Sequence, residues 1–171
     1  MKNILVLNGA PRKTGETAKL LAAFIDGAER AGHHIESFYL QDMNIHGCTG
    51  CLGCSKLPKG CDNPCVQKDD MVEIYAAFMK ADMVAFVSPV YFFSISGPLK
   101  TATDRLYAAV RNLGNKGFER EGVLLMTAGG SDYSQPIRWF EHLEKYCNWK
   151  NSGMVLGNGK TEEARNLGSS V

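Results

Sequence analysis

Short apolar segments alternate with amphipathic segments along almost the whole chain, and this alternation most constrains the fold. Continuous apolar runs such as residues 3–7 and 83–87 are typical of strands that are covered on both faces. The sequence predicts strands at residues 3–7, 35–40, 83–87, 123–127 and 153–156. It predicts helices at residues 15–31, 69–80, 97–110, 135–146 and 161–167. Five strands that alternate with helices favour an α/β fold with a doubly wound parallel sheet and right-handed crossovers.

Length and charge narrow the class of protein further. A chain of 171 residues predicts one domain, residues 1–171, with a cysteine-rich insertion at about 44–68. The net charge of +1 at pH 7 gives no basic surface for nucleic acid and no polybasic segment for a membrane. The apolar run at the N-terminus is too short for a signal peptide or a membrane span, so we expect a cytoplasmic location.

The loop after the first strand has the composition of an anion site. It reads NGAPRKTGET over residues 8–17 and leads into a helix, whose first backbone N–H groups attract anions. Thr14 and Thr17 add hydroxyl donors, and Arg12 and Lys13 add positive charge. The triphosphate pattern G-x-x-x-x-G-K-[ST] and the dinucleotide pattern G-x-G-x-x-G are both absent, so a single phosphate monoester fits best. The alternative is a plain strand–helix turn with Thr14 as N-cap.

The loops after the third and fourth strands suit a flat ring. SPVYFFSISGPLK, at residues 88–100, offers backbone amides and aromatic faces. TAGGS, at residues 127–131, has two adjacent glycines that allow close approach of the backbone. The alternatives are aromatic side chains that merely cap the core, and a tight turn.

These three loops resemble those of the NADPH-dependent FMN reductase family. Residues 8–21 are similar to the family's phosphate loop, and residues 88–100 to its S-P-x-Y-x-x-x-x-[ST]-x-x-[LM]-K stretch. CVQKDDM, at residues 65–71, is similar to the family's C-x-x-x-D-D-M, in which we expect Asp69 or Asp70 to cap a helix. The resemblance extends from about residue 3 to 167. It implies a flavodoxin-like three-layer fold, in which a five-stranded parallel sheet of order 2-1-3-4-5 carries helices on both faces.

The resemblance also implies the ligands and their sites. It implies bound FMN, NAD(P)H as electron donor, and a homodimer or higher homo-oligomer. No side chain is predicted to be catalytic, because the cofactor carries the chemistry. The residues implied in FMN binding are Asn8, Pro11, Arg12, Lys13, Thr14, Gly15, Glu16, Thr17, Pro89, Val90, Tyr91, Phe92, Phe93, Ala128, Gly129 and Gly130. The aromatic residues Trp139, Phe140, Tyr146 and Trp149 belong either to a dimer surface or to an ordinary core.

Five of the six cysteines lie between Cys48 and Cys65. In a reducing compartment, closely spaced thiolates hold metal or an iron–sulfur cluster, or carry out redox exchange. The iron–sulfur flavoproteins of the same superfamily hold a [4Fe–4S] cluster on C-x2-C-x2-C-x(4–7)-C. Cys48, Cys51, Cys54 and Cys61 match that pattern, with Cys65 as the alternative fourth ligand. Cluster-free relatives carry thiols here too, and a zinc site also stays open.

Three functions follow from these patterns. The first is an FMN-dependent NAD(P)H oxidoreductase that passes electrons to a small-molecule or protein acceptor. The second is an iron–sulfur flavoprotein that carries electrons from ferredoxin-like partners. The third, a metal-binding module, rests on the cysteines alone. The remaining cysteine, Cys147, is predicted to be a buried thiol on a helix.

Overall fold

The computed structural model describes residues 1–114, apart from the side chain of Leu113, and residues 119–171. The strands are β1 (Asn3–Asn8), β2 (His34–Tyr39), β3 (Met83–Pro89), β4 (Glu121–Thr127) and β5 (Lys150–Leu156). The α-helices are α1 (Glu16–Arg30), α2 (Met71–Lys80), α3 (Gly97–Leu113), α4 (Ser134–Cys147) and α5 (Thr161–Ser170). Two short 3-10 helices, Leu40–Asp42 and Gly53–Lys56, lie between β2 and α2. Within the described ranges, no helix is both long enough and apolar enough to cross a membrane.

The strands form one parallel sheet of order β2-β1-β3-β4-β5, which confirms the predicted topology. Asn8 of β1 is in register with Val87 of β3, and Pro89 of β3 is in register with Thr127 of β4. The carboxyl ends of the three central strands therefore lie side by side. Ligands of doubly wound sheets bind beyond this edge, where the strand order reverses.

Alternate residues of the strands pack into two apolar layers. On β1, Leu5 and Leu7 belong to the apolar layer on one face of the sheet, and Ile4 and Val6 belong to the layer on the other face. Every residue of β3 is buried, which explains its continuous apolar run. One layer holds Ile74 of α2, Leu99 of α3 and Phe140 of α4, and the other holds Phe24 of α1 and Ala164 of α5.

Most of the aromatic residues near the C-terminus belong to the core. Phe140 and Trp149 are buried in the layer of α2, α3 and α4, and Trp139 is half-buried with its ring edge-on to Phe86 at 5.5 Å. Tyr146 is exposed. Cys147 is buried as predicted, and burial raises the pKa of its thiol to about 11. A packing role therefore explains three of the four aromatic side chains, and Tyr146 is the exception.

Helices α1 and α5 touch backbone to backbone at glycines. A Cβ at Gly168 would collide with the carbonyl oxygen of Phe24, and one at Gly27 would collide with that of Arg165. Because backbone atoms cannot rotate aside, we expect Gly168→Ala to lower the free energy of unfolding by about 1–3 kcal/mol. Urea denaturation measures this change. Gly97→Ala is the control, since a Cβ there meets open space. A stabilising Gly168→Ala, as helix propensity alone would give, would show that the contact is absent.

The carboxyl group of Glu144 is buried on α4. Its Oε2 accepts a hydrogen bond from Asn151 Nδ2 at 2.9 Å, while its Oε1 has no partner among the residues described. Burial raises the pKa of Glu144 to about 7; the Asn151 bond opposes this shift and Glu141 adds to it. The folded protein therefore binds more protons than the unfolded chain between the unfolded pKa of 4.5 and the folded pKa of about 7.

This difference predicts that stability falls as pH rises. Below pH 4.5 the Glu144 carboxyl is protonated in both states, so its burial does not reduce the free energy of unfolding. Above pH 7 the buried carboxylate is ionised, and the free energy of unfolding is lower by on the order of 2 kcal/mol. Urea denaturation at pH 5 and pH 8 should show this decrease, and Glu144→Gln should remove most of it. An unchanged pH dependence in Glu144→Gln would assign the effect to another group.

Candidate functional site

An open cleft of about 240 Å³ lies at the carboxyl edge of the sheet, where the loops after β1, β3, β4 and β5 meet. It brings together most of the residues that the sequence implied. Those are Pro11, Arg12, Thr14, Gly15, Glu16, Thr17, Pro89, Val90, Tyr91, Ala128 and Gly129. The cleft is also lined by Ala10, Ala18, Thr127 and Asn158.

The N-terminus of α1 forms one end of the cleft. Gly15 is the N-cap residue, with φ of 148°, and no side chain caps the helix. Thr14 therefore does not have the capping role of the alternative interpretation. Gly15, Glu16, Thr17 and Ala18 all line the cleft, so the first turn of α1 borders it. Uncapped N–H groups at the positive end of a helix dipole form an anion site.

Asn8 and Gly9 shape the loop but do not line the cleft. Asn8 Oδ1 accepts a hydrogen bond from the N–H of Ala10 at 3.0 Å. The hydroxyl of Ser96 donates to the carbonyl oxygen of Gly9 at 2.7 Å. A Cβ at Gly9 would lie 2.5 Å from Ser96 Oγ and 2.7 Å from Leu99 Cβ, so only glycine fits. These contacts fix the loop against the start of α3.

A pair of threonines joins α1 to β4 below the cleft. The hydroxyl oxygens of Thr17 and Thr127 lie 2.6 Å apart, and both side chains are buried. One hydroxyl donates to the other, so one of the two hydrogens stays available for a ligand. The prediction that Thr17 supplies a hydroxyl donor therefore extends to Thr127, its partner on β4.

The loop after β5 borders the cleft at Asn158. Asn158 Nδ2 donates to the carbonyl oxygen of Ala128 at 2.9 Å, and the Gly159 N–H donates to Glu16 Oε2 at 3.2 Å. The side chain of Lys19, 2.8 Å from Glu16 Oε1, is the main cause of the lowered pKa of Glu16. The sequence contains a signal for this loop, because Gly-Asn-Gly at residues 157–159 is typical of a turn and directly follows the last predicted strand.

The two basic residues of the first loop have different environments. Arg12 lines the cleft. Lys13 does not line it: its Nζ lies 2.5 Å from Asp42 and 5.1 Å from the centroid of the Tyr39 ring. The hydrogen bond to Asp42 raises the pKa of Lys13. Only one of the two predicted positive charges therefore borders the cleft.

Phe92 and Phe93 form the tip of a tight turn beside the cleft. Tyr91 and Ser94 exchange backbone hydrogen bonds of 2.9 and 3.1 Å across them. Both phenylalanines have a left-handed backbone conformation, with φ of 46° and 68°. This conformation costs about 1–3 kcal/mol for a residue other than glycine. They are 95% and 63% exposed and line a neighbouring groove with Trp139, so only Tyr91 of the three aromatics borders the cleft. Gly130 also lies outside it.

Four of the clustered thiols border a second, narrow cavity of about 30 Å³. They are Cys48, Cys51, Cys54 and Cys65; the first two are exposed and the other two are half-buried. The Gly53 N–H, 3.5 Å from the Cys51 sulfur, is the main cause of the lowered pKa of that thiol. Among the residues described, no three His, Cys, Asp or Glu side chains are arranged so that they would hold a metal ion.

Cys61 lies outside this cavity. Its sulfur donates to the carbonyl oxygen of Asn63 at 3.5 Å and accepts from Asn112 Nδ2 at 3.6 Å. Asn112, near the end of α3, also donates to the carbonyl oxygen of Pro58 at 2.7 Å. The hydrogen bonds of Asn112 thus attach the part of the cysteine segment around Cys61 to the end of α3.

A buried ion pair joins α3 to the residues between the cysteine segment and α2. Arg105 of α3 binds Asp69 with two hydrogen bonds, of 2.6 and 3.1 Å, and both side chains are 1% exposed. Asp69 also accepts the N–H of Met71 at 3.2 Å and that of His46 at 3.0 Å. Asp69 thus contacts the start of α2 as expected. Asp70 occupies the N-cap position of α2, but its carboxylate makes no capping hydrogen bond and instead accepts the N–H of Asn44 at 2.7 Å.

A family model for NADPH-dependent FMN reductases matches residues 2–160. The chain belongs to the NADPH-dependent FMN reductase family. The match spans all the loops that form the cleft, together with the cysteine segment.

Two curated relatives of this FMN reductase family member are iron–sulfur flavoproteins. One from Archaeoglobus fulgidus is 38% identical over 106 residues, which cover 62% of the chain and 46% of that relative. One from Clostridioides difficile is 38% identical over 113 residues, which cover 64% and 48%. The chain thus spans about half the length of these relatives.

A solved structure shows the same fold. The NAD(P)H:quinone oxidoreductase of Methanothermobacter marburgensis superposes with a TM-score of 0.73 and 20% identity, over 98% of the chain and 96% of that structure. The predicted flavodoxin-like three-layer architecture is therefore confirmed for this FMN reductase family member.

Proposed function

We propose that the protein is an FMN-dependent NAD(P)H oxidoreductase that passes electrons to a small-molecule or protein acceptor. One observation carries this proposal: four loops place an uncapped helix N-terminus, an arginine and a tyrosine around one cleft at the carboxyl edge of the sheet. Membership of the FMN reductase family supports the same cofactor.

The cleft has one end suited to each part of FMN. The first turn of α1 and Arg12 offer N–H donors and positive charge to the phosphate. Pro89, Val90 and Tyr91 after β3 and Ala128 and Gly129 after the neighbouring β4 line the rest of the cleft. They offer backbone partners and an aromatic side chain to a flat ring. When bound, FMN supplies the hydride and electron transfer, so the protein's task is to hold and orient it.

The test is a comparison of NAD(P)H oxidation with and without FMN, using a quinone as acceptor. We expect turnover that depends on added or co-purified FMN. NAD(P)H oxidation that is absent with FMN bound would contradict the oxidoreductase proposal and leave the protein a carrier.

The cysteine cavity favours a second candidate, an iron–sulfur flavoprotein that takes electrons from ferredoxin-like partners. We propose Cys48, Cys51, Cys54 and Cys65 as the cluster ligands, because these four thiols border one cavity and Cys61 does not. Thiolates are the usual ligands of iron–sulfur clusters. The described thiols do not form a closed ligand group in the structure, so cluster binding requires thiol side chains of this segment to move. Faster reduction of the protein by ferredoxin than by NAD(P)H would favour this candidate.

We also propose a homodimer, as the family resemblance implies. The exposed rings of Phe92, Phe93 and Tyr146 are apolar surface that a second copy would cover. Light scattering on the purified protein tests the oligomeric state, and Phe93→Asp should shift a dimer toward the monomer. An unchanged dimer in Phe93→Asp would place the interface elsewhere.

A further inference from the structure

A further cavity, of about 360 Å³, lies between α3 and α4, and we call it the interhelix cavity. It shares no lining residue with the cleft at the carboxyl edge of the sheet. Helix α3 contributes Leu106 and Val110 to its lining, and α4 contributes Leu143. Small-molecule sites in proteins have volumes of about 300–1,000 Å³, so the interhelix cavity is large enough for one small ligand.

The interhelix cavity extends between the helices as far as the sheet. Phe86 of β3, Cys147 at the end of α4 and Trp149 all line it, although these residues are only 0%, 3% and 8% exposed. The surface of another protein could cover the opening of such a cavity, but it would leave the space next to the sheet unfilled. A small molecule that enters between α3 and α4 therefore fits this shape better than a second copy of the chain.

Aromatic rings make up much of the lining. The rings of Phe86 and Trp149 are stacked with their centroids 6.3 Å apart, and the ring of Trp139 is edge-on to Phe86 at 5.5 Å. Tyr107 and Tyr146, which are exposed, also line the cavity. Aromatic rings pack against one another in offset-stacked or edge-to-face arrangements, so this lining favours a flat aromatic ligand.

The lining carries little charge. Among the described residues that line the cavity, Asp104 is the only Asp, Glu, Lys or Arg, and its carboxylate is paired with Lys100 at 2.5 Å. The hydroxyl of Thr103 donates to the carbonyl oxygen of Leu99 at 2.7 Å, so its hydrogen is already used. A charged ligand would lose hydration here without gaining an unpaired partner of opposite charge, which is costly. The interhelix cavity therefore suits an uncharged molecule.

We propose that the interhelix cavity binds one uncharged, flat aromatic molecule of the size of two fused rings. The proposal does not depend on FMN, because the cavity and the cleft are lined by different residues. A ligand in this position contacts both α3 and α4, so its binding stabilises the folded protein.

Calorimetric titration of the full chain with 2-naphthamide tests the proposal. We expect one molecule bound per chain, with a Kd of about 100 μM or lower. The Kd should be the same with and without saturating FMN. Both tryptophans of the chain line the cavity, so their fluorescence should change over the same range of concentration.

Three matched compounds test the chemical class of the ligand. 1-Adamantanecarboxamide is uncharged but not flat, whereas 2-naphthoate and 2-naphthylmethylamine are flat but carry a negative and a positive charge. We expect each of them to bind at least about tenfold more weakly than 2-naphthamide. Equal affinity for the adamantane compound, or for either charged compound, would contradict the proposed class.

Two variants test the position of the ligand. Val110→Trp places a larger side chain in the cavity and should weaken the binding of 2-naphthamide by at least about tenfold. Tyr107→Ala removes an exposed ring from the lining, so it should fold even where Val110→Trp does not, and it should weaken binding by about fivefold. Val72→Trp is the matched control, since Val72 is exposed on α2 and does not line the cavity.

Several results would overturn the proposal. They are the absence of binding, displacement of 2-naphthamide by FMN, and wild-type affinity in Tyr107→Ala or in a folded Val110→Trp protein. A Kd that increases with protein concentration would also overturn it, because a second copy of the chain would then be the occupant. None of these measurements uses NAD(P)H oxidation, so a failure of the proposed oxidoreductase function would leave their outcome unchanged.

Discussion

Thr14→Asp should weaken FMN binding by about 100-fold. Thr14 lines the cleft next to the N-terminus of α1, so the new carboxylate would face the phosphate across the anion site. Two unit charges about 4 Å apart interact by about 1 kcal/mol in water and about 4 kcal/mol near a protein surface. An intermediate cost of about 2–3 kcal/mol corresponds to roughly 100-fold in Kd. Flavin fluorescence titration measures the affinity.

Lys13→Asp is the matched control for this prediction. It changes the net charge by two units at the adjacent residue, but the Lys13 side chain contacts Asp42 and Tyr39 outside the cleft. Because exposed charges are screened by salt, we expect less than about a fivefold change in Kd. Riboflavin, which lacks the phosphate, should bind Thr14→Asp nearly as well as it binds the wild type. Equal losses for FMN and riboflavin, or a larger loss in Lys13→Asp, would place the phosphate elsewhere.

Cys65→Ser should abolish iron binding, whereas Cys61→Ser should retain it. Cys65 borders the cavity of Cys48, Cys51 and Cys54, while Cys61 is bonded to Asn63 and Asn112 outside it. A serine hydroxyl is a poor substitute for a thiolate ligand of an iron–sulfur cluster. Iron and acid-labile sulfide per protein chain, with the visible spectrum, measure the difference.

The paired variants also test the alternative that the sequence pattern favours. Cys147→Ser is a control, since that thiol is buried on α4 and does not border the cavity of the clustered thiols. Iron retained in Cys65→Ser but lost in Cys61→Ser would restore Cys61 as the fourth ligand. A wild-type protein that holds no iron or sulfide when purified without oxygen would contradict the cluster itself.

Much of the fold could be predicted from the sequence because buried parallel strands have a strong signature. The fully buried β3 is an uninterrupted apolar run, and the amphipathic α1 and α4 follow helical periodicity. Boundaries were less predictable: β5 begins at Lys150, three residues before the predicted start, where the polar residues of an edge strand hide the pattern.

The site was predictable at the level of loops and less so at the level of side chains. Lys13 and Arg12 are adjacent and chemically alike, and only the positions of Asp42 and Tyr39 direct Lys13 away from the cleft. The Asp69–Arg105 pair joins residues that are 36 apart in sequence, so no local sequence pattern predicts this ion pair. Such orientations depend on tertiary contacts, which spacing alone does not encode.

The central claim, an FMN cofactor in the cleft at the carboxyl edge of the sheet, has one direct test. The protein is mixed with FMN and separated from free flavin by gel filtration, and its visible spectrum is recorded without oxygen before and after NAD(P)H is added. We predict flavin absorption bands that elute with the protein and bleach when NAD(P)H is added. A protein fraction that elutes colourless, with all FMN in the small-molecule fraction, would contradict the account.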